Sequence, residues 1–485
     1  MAQFQLKDQG LWQDAAYVDG AWLKAQNAQT LEVFNPSTLQ KIGAVPDLAA
    51  DEIVKAVEAA HRALAVWQGM TARARADLLR AWFNLILQHT DDLAQILTLE
   101  QGKPLAQAKS EIINGAGFVE WYAEEGRRIY GDLIPAQTTG NRLMVMKQPI
   151  GVCAMITPWN FPSSMITRKA SAALAAGCTV VIKPSELTPY SALALAVLAE
   201  RAGIPKGVIN IVTGAPKMIG DILTTHPLVR KVSFTGSTAV GKLLMQQCAS
   251  TVKKISLELG GNAPFIIFDD ADLEAAVEGA YLSKFRNAGQ TCICANRIFI
   301  HDAIYDRFAA RFTARVETAK CGDGFAPEVE LGPLINQKAV DKVNAQLRDA
   351  ISKGAHITTG GKSAENLFFA PTVLKNVTRE MDFFKNETFG PLAPLYRFQD
   401  EAEVITMAND TDYGLAAYVY TKDLGRFWRM SERLQYGMVG INSGLLSTEQ
   451  APFGGIKQSG FGREGSKYGI EDYLEIKLIS VGGIS

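Results

Sequence analysis

Apolar residues recur every three or four positions from Asp51 to Trp67 and from Thr71 to His89, with charges between them. That period predicts two helices, each burying one face. A short extended stretch precedes them, so the first 110 or so residues read as a largely helical scaffold with no chemistry of their own. The pattern changes near residue 147. Short apolar runs at Val152–Ile156, Thr179–Ile182, Val208–Val212, Lys231–Phe234 and Lys254–Leu257 predict strands, and alanine- and leucine-rich stretches such as Ser163–Ala176 and Ser191–Arg201 predict helices between them. Strands alternating with helices in this way indicate βαβ units and a parallel sheet. Open parallel sheets bind ligands beyond the carboxyl ends of their strands, so the polar residues just past each run matter most. A second α/β segment runs from about 262 to 445. Phe265–Phe268, Arg297–His301 and Ala417–Thr421 read as strands there, and Leu273, Ala276, Val277, Ala280 and Tyr281 as one face of a helix. The 128–149 stretch and the last 20 or so residues alternate apolar and polar positions and fit neither block. Leu143–Lys147 and Tyr473–Leu478 are expected to pair as strands of a protruding third unit, whose edge can add to a partner's sheet.

Composition narrows the class of protein without identifying it. The 485 residues allow two to four domains at about 150 residues each. Hydrophobic residues at 47% and charged residues at 20% exclude a disordered, collagen-like or disulfide-scaffold chain. A formal net charge of −1 gives no reason to expect nucleic acid or an anionic membrane as partner. Six cysteines are too few for a disulfide framework, and the N-terminus lacks the apolar core of a signal peptide, so a reducing, cytoplasmic setting is expected. The longest uncharged run, Gln148–Thr167, is broken by Pro149, Pro158 and Pro162 and is not a membrane span. Five scattered histidines, with no HExxH and no paired CxxC, predict no metal site.

Two motifs mislead. The only GxGxxG, Gly460-Phe-Gly462-Arg-Glu-Gly465, follows a turn-rich segment and has 20 residues after it, too few for a βαβ unit. Gly236-Ser-Thr-Ala-Val-Gly241-Lys242-Leu243 matches a P-loop until its last position, where Leu243 replaces the Mg²⁺-binding hydroxyl, so a nucleotide triphosphatase is disfavoured. Its setting still counts. A strand runs straight into a helix with Val240, Leu243, Leu244 and Gln247/Cys248 on one face, and the helix N-terminus at Gly236–Ser237 suits a pyrophosphate. An ordinary Gly-Ser turn is the alternative.

Three residues have the types that covalent acyl chemistry needs. Cys292 lies in Asn287-Ala-Gly-Gln-Thr-Cys292, Glu258 in Leu257-Glu258-Leu259-Gly260-Gly261-Asn262, and Asn160 in Thr157-Pro-Trp-Asn160-Phe-Pro162. A thiolate is a nucleophile, a carboxylate a general base, and a side-chain amide an oxyanion donor. Each alone has a plainer reading: a small buried apolar residue, a turn residue, and a helix N-cap. Together they resemble the aldehyde dehydrogenase superfamily, whose motifs Pro-Trp-Asn-Phe-Pro, Glu-Leu-Gly-Gly and Gly-Gln-x-Cys carry these roles. Lys183-Pro-Ser-Glu186, Phe234-Thr-Gly-Ser237, Glu387-Thr-Phe-Gly-Pro391 and Pro452-Phe-Gly-Gly-Ile-Lys-Gln-Ser-Gly460 match as well, in the family's order.

The resemblance implies an α/β fold with three parts. A Rossmann-like cofactor domain would span 1–127 and 150–257, a second α/β catalytic domain 258–445, and a small β oligomerisation flap 128–149 and 466–485. It implies a homo-oligomer, a dimer of dimers. It also implies that Cys292 attacks an aldehyde, that the Asn160 amide and the Cys292 N–H hold the oxyanion, that hydride passes to NAD(P)⁺, and that Glu258 activates the water that hydrolyses the thioester. Cofactor contacts are implied at Ile156, Thr157, Pro158, Trp159, Asn160, Lys183, Ser185, Glu186, Gly214, Gly236, Ser237, Leu259, Glu387 and Phe389. Of these, Lys183 and Glu186 would face the adenosine ribose, Gly236–Ser237 the pyrophosphate and Glu387 the nicotinamide ribose.

Within the family, Arg168, Arg286 and Ser447 sit in strings that resemble succinate-semialdehyde dehydrogenases, where two arginines and a serine grip the far carboxylate of the substrate. Arg suits bidentate carboxylate binding, although any single Arg is more often a surface residue. The implied reaction is succinate semialdehyde to succinate, as in 4-aminobutyrate breakdown. Glutarate semialdehyde is the alternative, because one methylene is worth only about 1–3 kcal/mol in a pocket. Glu186 favours NAD, since an acidic residue accepts from ribose hydroxyls and repels a 2′-phosphate; NADP is the weaker substitute. Cys294 suggests a redox switch, because some relatives join the two cysteines of this Cys-x-Cys pair, though thiols two residues apart need a folded loop to meet. A cysteine-dependent (thio)esterase, a CoA-acylating relative and a non-enzymatic relative are the alternatives from other classes. The cofactor residues Lys183 and Glu186, the hydrolytic Glu258, and the complete set of Cys292, Glu258 and Asn160 disfavour them in turn.

Overall fold

The structure, a computed structural model, describes residues 4–363 and 365–483. Its first sheet has eight strands. Five are parallel, in the spatial order Ile209–Ile211, Thr179–Lys183, Val152–Ile156, Val229–Thr235, Lys254–Glu258. The chain enters in the middle at Val152–Ile156, winds outward through the strands at 179 and 209, and returns to the other side at Val229. The order therefore reverses between Val152–Ile156 and Val229–Thr235. A crevice opens at such a point because the two connections leave in opposite directions. Ile156–Asn160 and Gly236–Ser237 leave from these two strand ends.

Alternation along the central strand explains why helices cover both faces. Val152 and Ala154 pack with Ile53, Ala56, Val57, Ile219 and Leu223 of the Ala50–Gly69 and Pro216–Thr225 helices. Cys153 and Met155 point the other way, into the core formed by Ser164–Ala176 and Tyr190–Arg201. Ser164–Ala176 is buried on every side. Such a helix must be apolar or small all round, and it is, except at Arg168 and Lys169. It stops at Gly177, which takes φ 98°.

The second sheet has seven strands, in the order 356–359, 372–375, 392–398, 295–301, 263–267, 416–420, 438–441, all parallel except the first pair. The strand next to its central one begins at Ala263, five positions after Glu258 ends the last parallel strand of the first sheet. The carboxyl edge of the first sheet thus faces the amino edge of the second. A third sheet is antiparallel: Asp132–Ile134, Arg142–Pro149 and Leu474–Val481, with Leu474 opposite Pro149 and Val481 opposite Arg142.

Several expectations need correction. The extended start is longer than the helical reading allowed, with strands at 16–18, 21–23, 30–34 and 41–46 before the first α-helix. Asp19 and Gly20 take positive φ in the turn that folds the first two together, and Tyr17 then adds to the sheet edge at Ile211. In the Thr238–Ala249 helix the buried residues are Gly241, Leu244 and Cys248, whereas Val240 is 43% and Leu243 49% exposed. Gly241 selects this face: a Cβ there would lie 2.4 Å from Leu259, so the helix approaches through its glycine and turns Val240 and Leu243 outward. Residues 466–473 do not join the third sheet; Ile470 and Tyr473 are buried in the first core, and the strand starts at Leu474.

The GxGxxG segment is structural. Gly460–Phe461 pairs antiparallel with Leu257–Glu258 and closes the edge of the first sheet. Gly460 has φ 109°, and a Cβ there would meet the Leu257 carbonyl at 1.9 Å. Gly460→Ala is therefore expected to destabilise the protein by roughly 1–3 kcal/mol or more, measured as a lower urea midpoint; an unchanged midpoint would show that this edge is not held as tightly as described.

Candidate active site

Two cavities meet at Cys292. The larger, with an empty volume of about 1190 Å³, opens along the crevice of the first sheet and is lined by Pro158, Trp159, Asn160, Gly236, Ser237, Leu259, Glu387 and Phe389. The smaller, about 510 Å³, lies on the opposite side of Cys292 and is lined by Arg168, Arg286, Ser447, Phe161, Tyr418 and Phe453 among others. The thiol is thus the one chemically reactive side chain common to both spaces.

The loop that carries Cys292 has an uncommon backbone. Asn287, Ala288 and Gly289 take φ of 52°, 54° and 76° in succession. Left-handed geometry is unfavourable for Ala, and buried amides hold the turn in place. Gln101 Nε2 donates to Asn287 Oδ1 at 3.0 Å, Gln290 Nε2 to the Pro333 carbonyl at 3.2 Å, and Ile335 N to Gln290 Oε1 at 2.9 Å. Asn160 Nδ2 donates to the Gln290 carbonyl at 3.0 Å, which brings the Asn160 amide against the Cys292 loop. Asn160 is not the N-cap of the following helix. Glu111 caps that helix instead, accepting from Ser163 N and Ser164 N at 3.0 and 3.2 Å.

Burial sets the protonation states. It pushes the Cys292 thiol up to about 12, with Glu387 and Glu258 adding to the rise and Arg168 opposing it. Glu258 ends its strand fully enclosed, and one of its oxygens has no partner. Burial first, then the neighbouring Glu464 carboxylate, hold it well above the ordinary carboxyl range, against Lys169, Arg168 and Arg463. The raised pKa makes Glu258 a stronger base once it is ionised.

The arginines of the smaller cavity are held differently. Arg168 Nη2 donates to Ser447 Oγ at 3.1 Å, Nη1 lies 3.5 Å from Glu464 Oε2, and the guanidinium is stacked between Phe118 and Phe453 at 4.6 and 4.8 Å. Arg286 lies over Phe161 at 5.1 Å, and burial lowers its pKa. Lys169, buried next to Arg168, pairs with the other oxygen of Glu464 and donates to Ser233 Oγ at 3.2 Å. Sequence reasoning brought Arg168, Arg286 and Ser447 together, and the structure does so as well. It missed Glu464 and Lys169, for which the local sequence holds no signal, and it missed the aromatic walls at Phe161, Tyr418 and Phe453.

The remaining predicted cofactor residues follow the carboxyl edge of the first sheet. Thr157 N donates to the Lys183 carbonyl at 3.1 Å, which ties adjacent strand ends together. Lys183 Nζ bonds Glu186 Oε2 at 2.8 Å. Burial pushes the Glu186 carboxyl up, but Lys183 overrides it, and the group ends below its ordinary value. Ser185 Oγ accepts from Leu187 N, and Gly214 at φ 145° passes within 3.0 Å of Asp47 for an added Cβ. Lys183, Ser185, Glu186 and Gly214 lie beyond the lining of the larger cavity. Ser237 caps the Thr238–Ala249 helix by accepting from Val240 N, so the free N–H groups of its first turn face the cavity mouth. Glu387 Oε1 accepts from Gly261 N at 2.9 Å, and burial raises its carboxyl to about 7. Phe389, at φ 53°, meets Trp159 edge-on at 5.6 Å. The hydroxyls of Thr157 and Thr235, at the two strand ends of the crevice, are buried without partners. A capped helix N-terminus, a lysine–glutamate pair and orphaned hydroxyls along one edge fit a dinucleotide. Cys294 faces away from both cavities: Lys284 Nζ donates to its Sγ at 3.3 Å, and its pKa is raised by burial. Among the described residues no three His, Cys, Asp or Glu side chains cluster as a metal would require, and no helix is long and apolar enough to cross a membrane.

A thiol between a crevice that fits a dinucleotide and a second, polar-ended cavity, with a buried glutamate and amide near it, is an arrangement suited to covalent aldehyde oxidation. The chain matches the aldehyde dehydrogenase family over residues 22–479 and belongs to that family of oxidoreductases. It is 59% identical to succinate-semialdehyde dehydrogenase [NADP(+)] GabD of Escherichia coli K12, over 99% of this chain and 100% of that protein. It is equally 59% identical to a glutarate-semialdehyde dehydrogenase of Pseudomonas aeruginosa, again over 99% and 100%. The crystal structure of a succinate-semialdehyde dehydrogenase from Burkholderia pseudomallei superposes with a TM-score of 0.98 at 58% identity, covering 99% of this chain and 100% of that one.

Iodoacetamide alkylation of Cys292 in the cofactor-free protein, followed on its own peptide, is expected to accelerate from about pH 7 to about pH 10 without a plateau, because the thiolate is the reactive form. Arg168→Met, which removes the cation that favours that thiolate, is expected to slow it several-fold. A plateau near neutral pH would mean that the thiol is already ionised.

Proposed function

We propose that the protein oxidises succinate semialdehyde to succinate in 4-aminobutyrate breakdown, with glutarate semialdehyde as the alternative substrate. The observation that carries this reading is that Arg168, Arg286 and Ser447 line the same cavity as Cys292. A substrate with a carbonyl at one end and a carboxylate at the other satisfies both. The relatives named for the two semialdehydes are equally similar, which supports the pair and does not separate them.

In this reading Cys292 attacks the aldehyde carbon as thiolate. The Asn160 amide and the Cys292 N–H hold the resulting oxyanion, worth about 2.7–4 kcal/mol in other oxyanion holes. A bound nicotinamide dinucleotide supplies the hydride acceptor. Residues 1–127 with 150–257 would hold it, through Ile156–Asn160, Lys183, Ser185, Glu186, Gly214, Gly236, Ser237, Leu259, Glu387 and Phe389. Residues 258–445 would carry the chemistry, and Glu258 would take the proton from the hydrolytic water. NAD is proposed as the preferred cofactor because Glu186 retains a carboxylate at the ribose end of the edge. The Escherichia coli relative is named for NADP⁺, and Lys183 beside Glu186 gives NADP a foothold.

The strands at 132–134, 142–149 and 474–481 expose Leu133 at 80%, Ile476 at 73% and Leu478 at 62%, which supports a dimer of dimers assembled through the flap. All six cysteines are free, in keeping with a cytoplasmic enzyme. A Cys292–Cys294 disulfide as a redox switch requires Cys294 to leave Lys284; peroxide inactivation that dithiothreitol fails to reverse would remove it.

A kcat/KM panel tests the substrate. Four- and five-carbon semialdehydes are expected to exceed propanal and benzaldehyde. Arg168→Met and Arg286→Met are expected to cut kcat/KM for the semialdehydes roughly 10- to 150-fold, as charge-assisted bonds of about 1.5–3 kcal/mol imply; for propanal, Arg286→Met is expected to change little and Arg168→Met to cost only the several-fold loss of thiolate. Uncharged aldehydes winning in the parent enzyme would sink the reading. The same assay with both cofactors tests Glu186: a kcat/KM that favours NADP would overturn the NAD assignment, and Glu186→Ser is expected to shift the ratio towards NADP.

A further inference from the structure

We propose that Lys103 and Asn287 are positioning residues that aim the Asn160 amide by clamping its backbone carbonyl between them. The proposal rests on the oxyanion reading of Asn160 given above and adds residues that no part of that reading assigns.

The Asn160 carbonyl accepts two buried hydrogen bonds, from Lys103 Nζ at 2.7 Å and from Asn287 Nδ2 at 3.1 Å. Both lone pairs of that oxygen are therefore in use. The two donors come from opposite sides of the site, Lys103 from the turn after the Thr90–Gln101 helix and Asn287 from the left-handed turn before Cys292. The Asn160 side chain has little else to fix it. Its Nδ2 donates to the Gln290 carbonyl, and its Oδ1 has no partner. Its direction is thus set largely by where its own backbone is held.

Lys103 is suited to a fixed geometry. It is 2% exposed, and its three N–H donors have three acceptors: Glu111 Oε2 at 2.6 Å, the Asn160 carbonyl, and the face of Phe161 at 3.8 Å. Burial lowers its pKa to about 8 while Glu111 opposes the fall. The second oxygen of Glu111 caps the helix that carries Arg168. One buried ion pair therefore fixes the Asn160 carbonyl and the start of the Arg168 helix together. Asn287 completes the ring. Its Oδ1 accepts from Gln101, and its Nδ2 is shared between the carbonyls of Asn160 and Gln290. Gln101 Oε1 accepts from Lys103 N at 3.0 Å, so the two clamp residues are joined through a single glutamine.

A merely structural ion pair would stabilise the protein without caring whether the Asn160 side chain is present. A double-mutant cycle separates the two roles. Lys103→Met, Asn160→Ala and their combination are measured for dehydrogenase kcat and KM, for cofactor-free hydrolysis of p-nitrophenyl acetate, and for thermal midpoint. Asn287→Ala, which removes no charge, is taken through the same cycle in case Lys103→Met does not fold. Asn160→Ala alone is expected to lower kcat roughly 100- to 1000-fold. Each positioning variant alone is expected to lower it roughly 10- to 100-fold, the cost of a small misplacement, with KM within about two-fold. In the Asn160→Ala background the same substitutions are expected to cost no more than about three-fold, in both reactions. Multiplicative losses, or a lower thermal midpoint with unchanged kcat, would overturn the proposal while leaving Asn160 as oxyanion donor. A normal kcat for Asn160→Ala would remove that reading and the proposal with it.

Discussion

Two adjacent cations on a helix with no solvent-facing side are tolerable only if an anion is delivered to both, and Glu464 is that anion. Arg168 and Lys169 lie on the Ser164–Ala176 helix, each at most 3% exposed. Burying an unpaired charge costs several kcal/mol even after relaxation. Glu464 reaches the pair from almost 300 residues away and brings its segment with it. It bridges Phe453 through both backbone hydrogen bonds, at 2.7 and 2.8 Å, and Phe453 forms one wall of the Arg168 stack. The next residue, Gly454, passes so near Glu258 that an added Cβ would lie 2.9 Å from its carboxylate. One ion cluster therefore joins the cofactor sheet, the substrate cavity and the C-terminal return of the chain. The same carboxylate raises the pKa of Glu258, so the cluster that builds the site also tunes it.

Enclosure explains the site's resting electrostatics. Cys292, Glu258 and Glu387 all have raised pKa values with loss of hydration as the leading cause. Loss of hydration favours the neutral form of each acid. In a site removed from bulk solvent, donors aimed at developing negative charge act more strongly. Arg168 is held by Glu464 and Ser447 and Arg286 lies over the Phe161 ring, and from there Arg168 still opposes the rise at the Cys292 thiol.

The sequence was informative wherever a structure-forming signal is local. The strand at Val152–Ile156 and the helix at 164–176 could be read almost to the residue, because an apolar β run and a small-residue helix differ in period. Leu143–Lys147 and Tyr473–Leu478 could be paired by their alternation despite lying more than 300 positions apart, and the paired strands run longer, over Arg142–Pro149 and Leu474–Val481. Cys292, Glu258 and Asn160 stand out in the sequence as candidates because their residue types are informative and their motifs are specific. What remained hidden depends on contacts between distant segments. Nothing near Glu464 indicates that Arg168 and Lys169 need it. Nothing near Lys103 indicates that it holds Asn160. The face of the Thr238–Ala249 helix was misjudged because apolarity alone cannot show that a glycine makes the closest approach. The N-terminal strands were read only as a short extended start, because strands of three to six residues are too short for a clear periodicity to appear.

The placement of the site between the carboxyl edge of one sheet and the amino edge of another divides it into parts that can vary separately. The crevice residues belong to the strand ends of the first sheet, where a change of backbone would disturb the core beneath. The wall of the smaller cavity is shared between a buried helix, which supplies Arg168 and Met165, and connecting segments, which supply Arg286, Ile293 and residues 444–447. Connections tolerate substitution better than the strands they join. The architecture therefore gives a lineage two different freedoms. It can keep the oxidation chemistry and its dinucleotide essentially fixed while its substrate range drifts through a few side chains at one end of one cavity, and such divergence need not pass through an inactive intermediate.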